Sequence, residues 1–150
     1  MKTKAIFLII ISILLGTFLG NLFFSEYNNT SYAFSEKQKI YFVQLGVYSD
    51  NASLKEVYPF YDDYLTILED DGYHLYAAIT KNEEIAKKVQ ACFAKEGKNT
   101  YIKEKMETNL RFLNVLSEYD KIKMIVSSDK DLMDIEKIVI SSYKEMVLER

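Results

Sequence analysis

One stretch decides the fold: residues 40–48, with the sequence IYFVQLGVY, which is apolar, β-branched and aromatic. It runs into the polar residues 49–51, as a central strand does before a turn. Residues two apart lie on the same face of a strand. Alternation therefore predicts an aliphatic face with Tyr41, Val43, Leu45 and Val47, and a second face with Phe42, Gln44, Gly46 and Tyr48. The second face combines two rings, an amide and bare backbone, so it is the candidate working surface.

A first strand–helix–strand unit begins with this stretch. The apolar spacing predicts a short helix from residue 52 to about residue 64, in which Pro59 is a defect. Residues 65–69 are typical of a strand, and Asp70-Asp71-Gly72 is typical of a tight turn.

A second unit of the same kind follows the turn. Residues 73–80 are predicted to form a strand, with Leu75, Ala77 and Ile79 on one face and His74, Tyr76 and Ala78 on the other. A capping box at Thr80 and Glu83 is expected to begin a helix that reaches about Lys95, and Gly97 is placed to end it. Residues 99–104 are predicted to form the last strand, with Tyr101 and Lys103 outward.

Two βαβ units in tandem predict an α+β fold of the ferredoxin-like or RNP-like type. Such a fold has a four-stranded antiparallel sheet with two helices on one face and the other face open. The chain is accordingly divided into a cytoplasmic stub and transmembrane anchor (1–24), a linker (25–39), the βαβ domain (40–104) and a C-terminal amphipathic helical extension (105–150).

The N-terminal block from residue 5 to residue 24 carries no charge and is long enough to span about 30 Å of hydrocarbon as a helix. Lys2 and Lys4 precede it, so the positive-inside rule places the N-terminus in the cytoplasm and the rest of a single-pass protein outside the cell membrane. The alternative is a cleaved signal peptide, with Ser31-Tyr32-Ala33 as the cleavage site. Both interpretations put the domain outside the cytoplasm.

The C-terminal extension is predicted to contain two helices. The first covers residues 106–119, and the second begins at Ser128 and carries Leu132, Ile135, Val139, Tyr143 and Met146 at helical spacing. The pair is expected either to pack within the protein or to bind an envelope protein or a second copy. Gly16 and Gly20, which match the small-xxx-small motif of membrane helices, offer another route to self-association.

Composition excludes several classes of function. The formal charge is −3 and the pI is about 5.3, which does not suit nucleic-acid binding. One Cys and one His supply neither an internal disulfide nor the usual ligands of a zinc site, so no metal and no cofactor are expected. Cys92 lies on the inward stripe of a predicted helix and is expected to be a buried hydrophobe. Because no nucleophile–base constellation is recognisable, an enzyme is not expected.

Residues 40–104 resemble the SPOR (sporulation-related repeat) domain family of membrane-anchored bacterial cell-envelope proteins. The resemblance is carried by Phe42-Val43-Gln44-Leu45-Gly46-Val47-Tyr48, which matches the family's first strand, and more loosely by Tyr73-His74-Leu75 and Glu83-Glu84-Ile85-Ala86. The chain departs from the family pattern at His74, where Arg is common, and at Ala78-Ile79-Thr80, which replaces a Gly-Pro-Phe-like turn.

The resemblance implies a protein that binds peptidoglycan at the septum in cell division or sporulation, on glycan strands stripped of their stem peptides. The implied glycan-binding residues lie on the open face: Phe42, Gln44, Gly46, Tyr48, His74, Tyr76 and Tyr101. Rings would stack on sugars, the amide and imidazole would hydrogen-bond them, and the glycine would allow close approach to the backbone. No carboxylate pair is expected on that face, so binding without hydrolysis follows. The alternative is a membrane-tethered interaction scaffold with a degenerate SPOR-like sheet.

Overall fold

The structure is a computed structural model that describes residues 37–57 and 63–149. The elements are β1 (Gln38–Tyr48), α1 (Asn51–Val57), β2 (Leu65–Glu69), β3 (Gly72–Thr80), α2 (Glu83–Lys95), β4 (Tyr101–Glu107), α3 (Leu110–Ile125), α4 (Asp129–Tyr143) and a π-helical turn (Lys144–Leu148). The predicted anchor lies outside the described residues. Within them, no helix has both the length and the apolar character needed to cross a membrane.

The four strands form one antiparallel sheet in the order β2-β3-β1-β4. The predicted α+β class with a four-stranded antiparallel sheet is therefore confirmed. Each βαβ unit has a strand of the other unit between its own two strands, as in split βαβ folds. This order puts β1 and β3 at the centre of the sheet, and residues 41–44 of β1 are paired with β3 on one side and with β4 on the other.

Helices cover both faces of the sheet, which corrects the expectation that one face is open. On the α1/α2 face, the strands pack against α1 and α2 through a core that includes Tyr41, Val43, Leu45, Leu54, Leu75, Ile85, Val89 and Phe93. On the α3/α4 face, the strands pack against the C-terminal helices through a core that includes Ile40, Phe42, Leu65, Tyr76, Ile79, Phe112, Leu116, Val139 and Tyr143. The C-terminal pair thus packs within the protein, which is one of the alternatives expected for it. The expectation of an open sheet face was wrong because apolar residues at 112–143 form a second helical layer.

Bulges in the two central strands change which residues share a face. The β1–β3 register runs from Val43 opposite Ala78 to Gln44 opposite Tyr76 and then to Gly46 opposite Leu75, so Ala77 and Leu45 are the extra residues. An extra residue in one strand shifts its alternation by one position. The predictions made from strict alternation are therefore wrong at five residues. In β1, Gly46 and Tyr48 lie on the α1/α2 face, and Val47 lies on the α3/α4 face opposite His74. In β3, Ala78 lies on the α1/α2 face, and Ile79 lies on the α3/α4 face with Tyr76.

Helix α2 begins and ends close to the predicted positions, but its N-terminal cap differs. The side chain of Asn82, and not that of Thr80, accepts a hydrogen bond from the backbone N–H of Glu84 at 2.8 Å. The hydroxyl of Thr80 instead accepts from the N–H of Asn82 at 3.0 Å, which fixes the residue that caps the helix. Gly97 follows the last turn with a φ of 73°, as predicted for a glycine that ends a helix.

A buried charged cluster attaches α3 and α4 to the sheet. Strand β2 is short, so Ile79 lies beyond the last β2–β3 pair, Leu65 opposite Tyr76. Its N–H donates to the carboxylate of Glu136 at 3.1 Å, and its carbonyl accepts from Lys123 Nζ at 2.8 Å. Lys123 also pairs with Glu136 at 2.8 Å and with Asp120 at 3.1 Å. Two helix side chains thus take the hydrogen-bonding role that a longer β2 would have.

Candidate binding site at the uncovered end of the sheet

The structure divides the seven predicted glycan-binding residues into three groups. Gln44, His74 and Tyr101 lie together at the end of the α3/α4 face that begins β3 and β4. Phe42 and Tyr76 lie on the same face but beneath the C-terminal helices, and Gly46 and Tyr48 lie on the opposite face. The predicted seven-residue platform is therefore reduced to Gln44 and Tyr101, because His74 in the first group is itself buried.

Phe42 and Tyr76 are core residues, because the C-terminal helices bury both of them fully. Their rings meet edge to face with centroids 5.0 Å apart, and Phe42 meets Tyr143 of α4 in the same way at 5.6 Å. Burial raises the pKa of the Tyr143 hydroxyl to about 12. Neither Phe42 nor Tyr76 can stack on a ligand while α4 is in place.

Gly46 does not present bare backbone to a ligand. A Cβ at this position would lie 3.1 Å from the hydroxyl oxygen of Tyr48 and 3.2–3.3 Å from its ring carbons. The Tyr48 ring therefore occupies the space that the missing side chain leaves, and it packs against the core on the α1/α2 face. The glycine therefore makes room for the ring of Tyr48, a residue of the same strand.

Two carboxylates, those of Glu69 and Asp71, lie together at this end of the face, which corrects the expectation that no carboxylate pair lies there. Glu69, the last residue of β2, accepts from Lys105 at 2.6 Å, from Lys103 at 2.9 Å and from the Tyr76 hydroxyl at 3.1 Å. The Lys105 hydrogen bond is the largest cause that lowers the pKa of Glu69 to about 2. Lys105 also lies 4.7 Å from the centroid of the Tyr76 ring, so the network closes the floor of the site.

His74 lies buried beside this carboxylate and contacts oxygen atoms at both ring nitrogens. Nδ1 is 3.2 Å from Gln44 Oε1, and Nε2 is 2.6 Å from Asp71 Oδ1. Nε2 is also 3.8 Å from Glu69 Oε2. The hydrogen bond to His74 is the largest cause that lowers the pKa of the Asp71 carboxyl.

The rim of the site is the part that a ligand can reach. Tyr101 is 67% exposed and is the cross-strand neighbour of Gln44 on the same face. Val47, across from His74, is also exposed, while Gln44 between them is half-buried. The surface that a ligand can reach therefore consists of one ring, one amide and one aliphatic side chain.

Glu69, Asp71 and His74 place three ligand atoms within 4.8 Å of one another, a spacing that a metal ion could bridge. However, Lys103 and Lys105 already bind the Glu69 carboxylate, so a divalent cation there would meet two ammonium groups within a few ångströms. Among the described residues, this cluster is therefore part of an ion-pair network.

The Glu69 network predicts a specific loss of stability in acid. Because the folded-state pKa of Glu69 is about 2 and its ordinary value is 4.5, the network stabilises the fold above pH 4.5 and loses that contribution as the pH falls toward 2. Glu69→Gln should therefore reduce the fall in the free energy of unfolding with pH, as measured by urea unfolding between pH 7 and pH 2.5. Glu104→Gln, which removes an exposed partner of Lys39, is the matched control. If Glu69→Gln and Glu104→Gln reduced the pH dependence of stability equally, the Glu69 network would not be its cause.

Comparison of the chain with known proteins found no matching family model, no similar curated protein and no similar solved structure.

Proposed function

We propose that this chain is a membrane-anchored, non-catalytic protein of the bacterial cell envelope that binds peptidoglycan glycan at the uncovered end of its sheet. The observation that supports this most directly is the exposed ring of Tyr101 beside the amide of Gln44 on one face. An aromatic face stacks on the C–H face of a sugar ring, and an amide hydrogen-bonds hydroxyl or N-acetyl groups. The resemblance of residues 42–48, which include Gln44, to the SPOR family implies the same ligand class.

The proposed binding surface is smaller than that implied by the resemblance. Phe42 and Tyr76 are covered, so stacking would depend on Tyr101. The proposed ligand is therefore a short run of sugars in a peptide-stripped strand, since a stem peptide on the adjacent sugar would crowd so small a surface. The apolar block at residues 5–24 would anchor the protein in the cell membrane, facing the wall and septum.

Co-sedimentation of the protein with purified sacculi, with and without amidase treatment, tests the proposal. Tyr101→Ala should lower binding to stripped sacculi by at least about tenfold, because truncation of a central aromatic contact typically costs about 2 kcal/mol. Gln44→Ala should also weaken binding. Leu68→Ala is the matched control, because Leu68 is equally exposed (67%) but belongs to the β2 edge strand.

The outcomes of this experiment separate the alternatives. Binding that increases on stripped sacculi and depends on Tyr101 supports the glycan-binding function. The proposal would be overturned if Tyr101→Ala and Leu68→Ala bound stripped sacculi equally well, or if the protein bound neither preparation of sacculi.

A second candidate, a membrane-tethered interaction scaffold, is favoured by the closure of the sheet under α3 and α4. At the end of α3, the side chains of Ile122, Met124 and Ile125 are exposed and form an apolar surface that a partner could cover. Septal localisation that survives Tyr101→Ala and is lost in an Ile122→Ser/Ile125→Ser variant would support the scaffold. The reverse pattern would support glycan binding.

A further inference from the structure

The two lysines that hold Glu69 differ in how much of each side chain a ligand can reach. Lys105 is the more covered of the two, with 24% of its side chain exposed and its Nζ 2.6 Å from Glu69 Oε1. The same Nζ lies 4.7 Å and 5.1 Å from the ring centroids of Tyr76 and Phe42. Lys103 is 37% exposed and contacts the other carboxylate oxygen of Glu69 at 2.9 Å. Because Lys105 pairs with Glu69 at shorter range, Lys103 is the better placed of the two to meet a ligand.

The ammonium group of Lys103 has hydrogen-bonding capacity to spare. A lysine ammonium carries three N–H donors and no acceptor. Within the part of the chain that the structure describes, Lys103 Nζ donates one hydrogen bond, to Glu69. A partly exposed ammonium group with further donors can bind one more acceptor, and an anionic acceptor makes the stronger bond.

Lys103 also lies next to the ring on which the sugar is proposed to stack. Tyr101 and Lys103 are two residues apart on β4 and share the α3/α4 face, since their partners on β1 are Gln44 and Phe42. Two residues of a strand span about 7 Å. One sugar ring and a substituent that carries a carboxyl group can bridge that distance.

We propose that Lys103 recognises the carboxylate that an amidase leaves on peptidoglycan glycan, and that it thereby makes the site select stripped strands. This rests on the proposed glycan-binding function. A stem peptide is joined to the glycan by an amide bond at a carboxyl group on a sugar substituent. Hydrolysis of that bond consumes water, releases the peptide with a free amino group and leaves the carboxylate on the sugar. An intact strand therefore presents a neutral amide where a stripped strand presents an anion.

One chemical change separates charge recognition from crowding by the stem peptide. Carbodiimide coupling of stripped sacculi with ammonia converts the sugar carboxylate into a primary carboxamide, which removes the charge and adds almost no bulk. In co-sedimentation of the full chain in detergent micelles, the carboxamide form should be bound about five- to tenfold more weakly than the carboxylate form. This is the scale of one charge-assisted hydrogen bond at a partly exposed site.

Three variants assign the preference to Lys103. Lys103→Gln should bind the carboxylate and carboxamide forms alike, and Lys103→Arg, which keeps the positive charge, should retain the preference. Lys39→Gln is the matched control, because it removes an exposed ammonium group that pairs with Glu104. The measured quantity is the ratio of binding to the two forms within each variant, and a general loss of stability leaves that ratio unchanged.

The outcomes distinguish this proposal from the glycan-binding function. Equal binding of the wild-type protein to both forms would overturn the role of Lys103 and leave crowding as the reason for preferring stripped strands. A carboxylate preference that persists in Lys103→Gln would overturn it as well. If no form of sacculi were bound, the glycan-binding function would fail and this proposal with it.

Discussion

Glu136→Ala is expected to destabilise the folded protein by about 3–5 kcal/mol, because it leaves the ammonium group of Lys123 buried with only part of its compensation. Both side chains are fully buried, and their charged groups are 2.8 Å apart. Burial raises the pKa of Glu136, and Lys123 opposes that rise. The variant also removes the acceptor of the Ile79 N–H. Urea unfolding at pH 7 measures the loss of stability.

The double variant Lys123→Met/Glu136→Leu tests whether charge alone explains that loss. Replacing a buried ion pair with apolar residues is often neutral or stabilising. Here the N–H and carbonyl of Ile79 lose their partners as well, and each unpaired buried group costs about 1–3 kcal/mol. The double variant should therefore be less stable than wild type but more stable than Glu136→Ala. A double variant as stable as wild type would show that the caps on Ile79 contribute little.

The sequence predicted the strands and helices of residues 40–104 well, because their signals are local. The apolar run at residues 40–48, the turn at 70–72 and Gly97 after α2 depend on neighbours within a few positions. The bulges at Leu45 and Ala77 have no such signal, since each is a matter of register between two strands. Every error in assigning a residue to a sheet face lies beyond one of these bulges.

The packing of the C-terminal helices over the α3/α4 face could be predicted only in part. The helical stripe with Leu132, Val139 and Tyr143 was recognised, but where it packs depends on contacts more than 50 residues away in sequence. Val139 and Tyr143 join the core on the α3/α4 face, and Leu132 joins the core on the α1/α2 face. Glu136 lies in the middle of that stripe, four residues after Leu132 and four before Ile140. A carboxylate at such a position needs a buried partner, and this is the signal that could have found the cluster with Lys123.

The candidate site shows the same limit. Gln44 and Tyr101 were found from alternation, because both lie on the face that the early part of β1 and β4 defines. Glu69, Lys103 and Lys105 converge from opposite edge strands across the sheet. Charged residues on short strands usually point into solvent, so only the three-dimensional arrangement identifies these as the floor of a site.

Gly72→Ala is expected to destabilise the fold by roughly 3 kcal/mol or more, because two costs add at this position. Gly72 has a φ of 132°, a conformation that residues with a Cβ rarely adopt. A Cβ there would also lie 2.6 Å from the backbone oxygen of Tyr48, an atom in the central strand that cannot rotate away. The β2–β3 turn must therefore move relative to β1, which would disturb Asp71 and His74 with it. Urea unfolding measures the loss of stability. The imidazole nitrogen NMR signals, which belong to the chain's single histidine, His74, report the movement of the turn.

Two other glycines separate these costs. Gly97 also has a positive φ, 73°, but a Cβ there has no atom within 4 Å, so Gly97→Ala should cost only about 1–2 kcal/mol. At Gly46 a Cβ meets only the end of the Tyr48 ring, a side chain that can shift by a few tenths of an ångström. Gly46→Ala should therefore be milder than Gly72→Ala. If Gly72→Ala and Gly97→Ala proved equally destabilising, the contact with the Tyr48 carbonyl would contribute nothing, and the turn would be free to move without affecting the strand on which Gln44 lies.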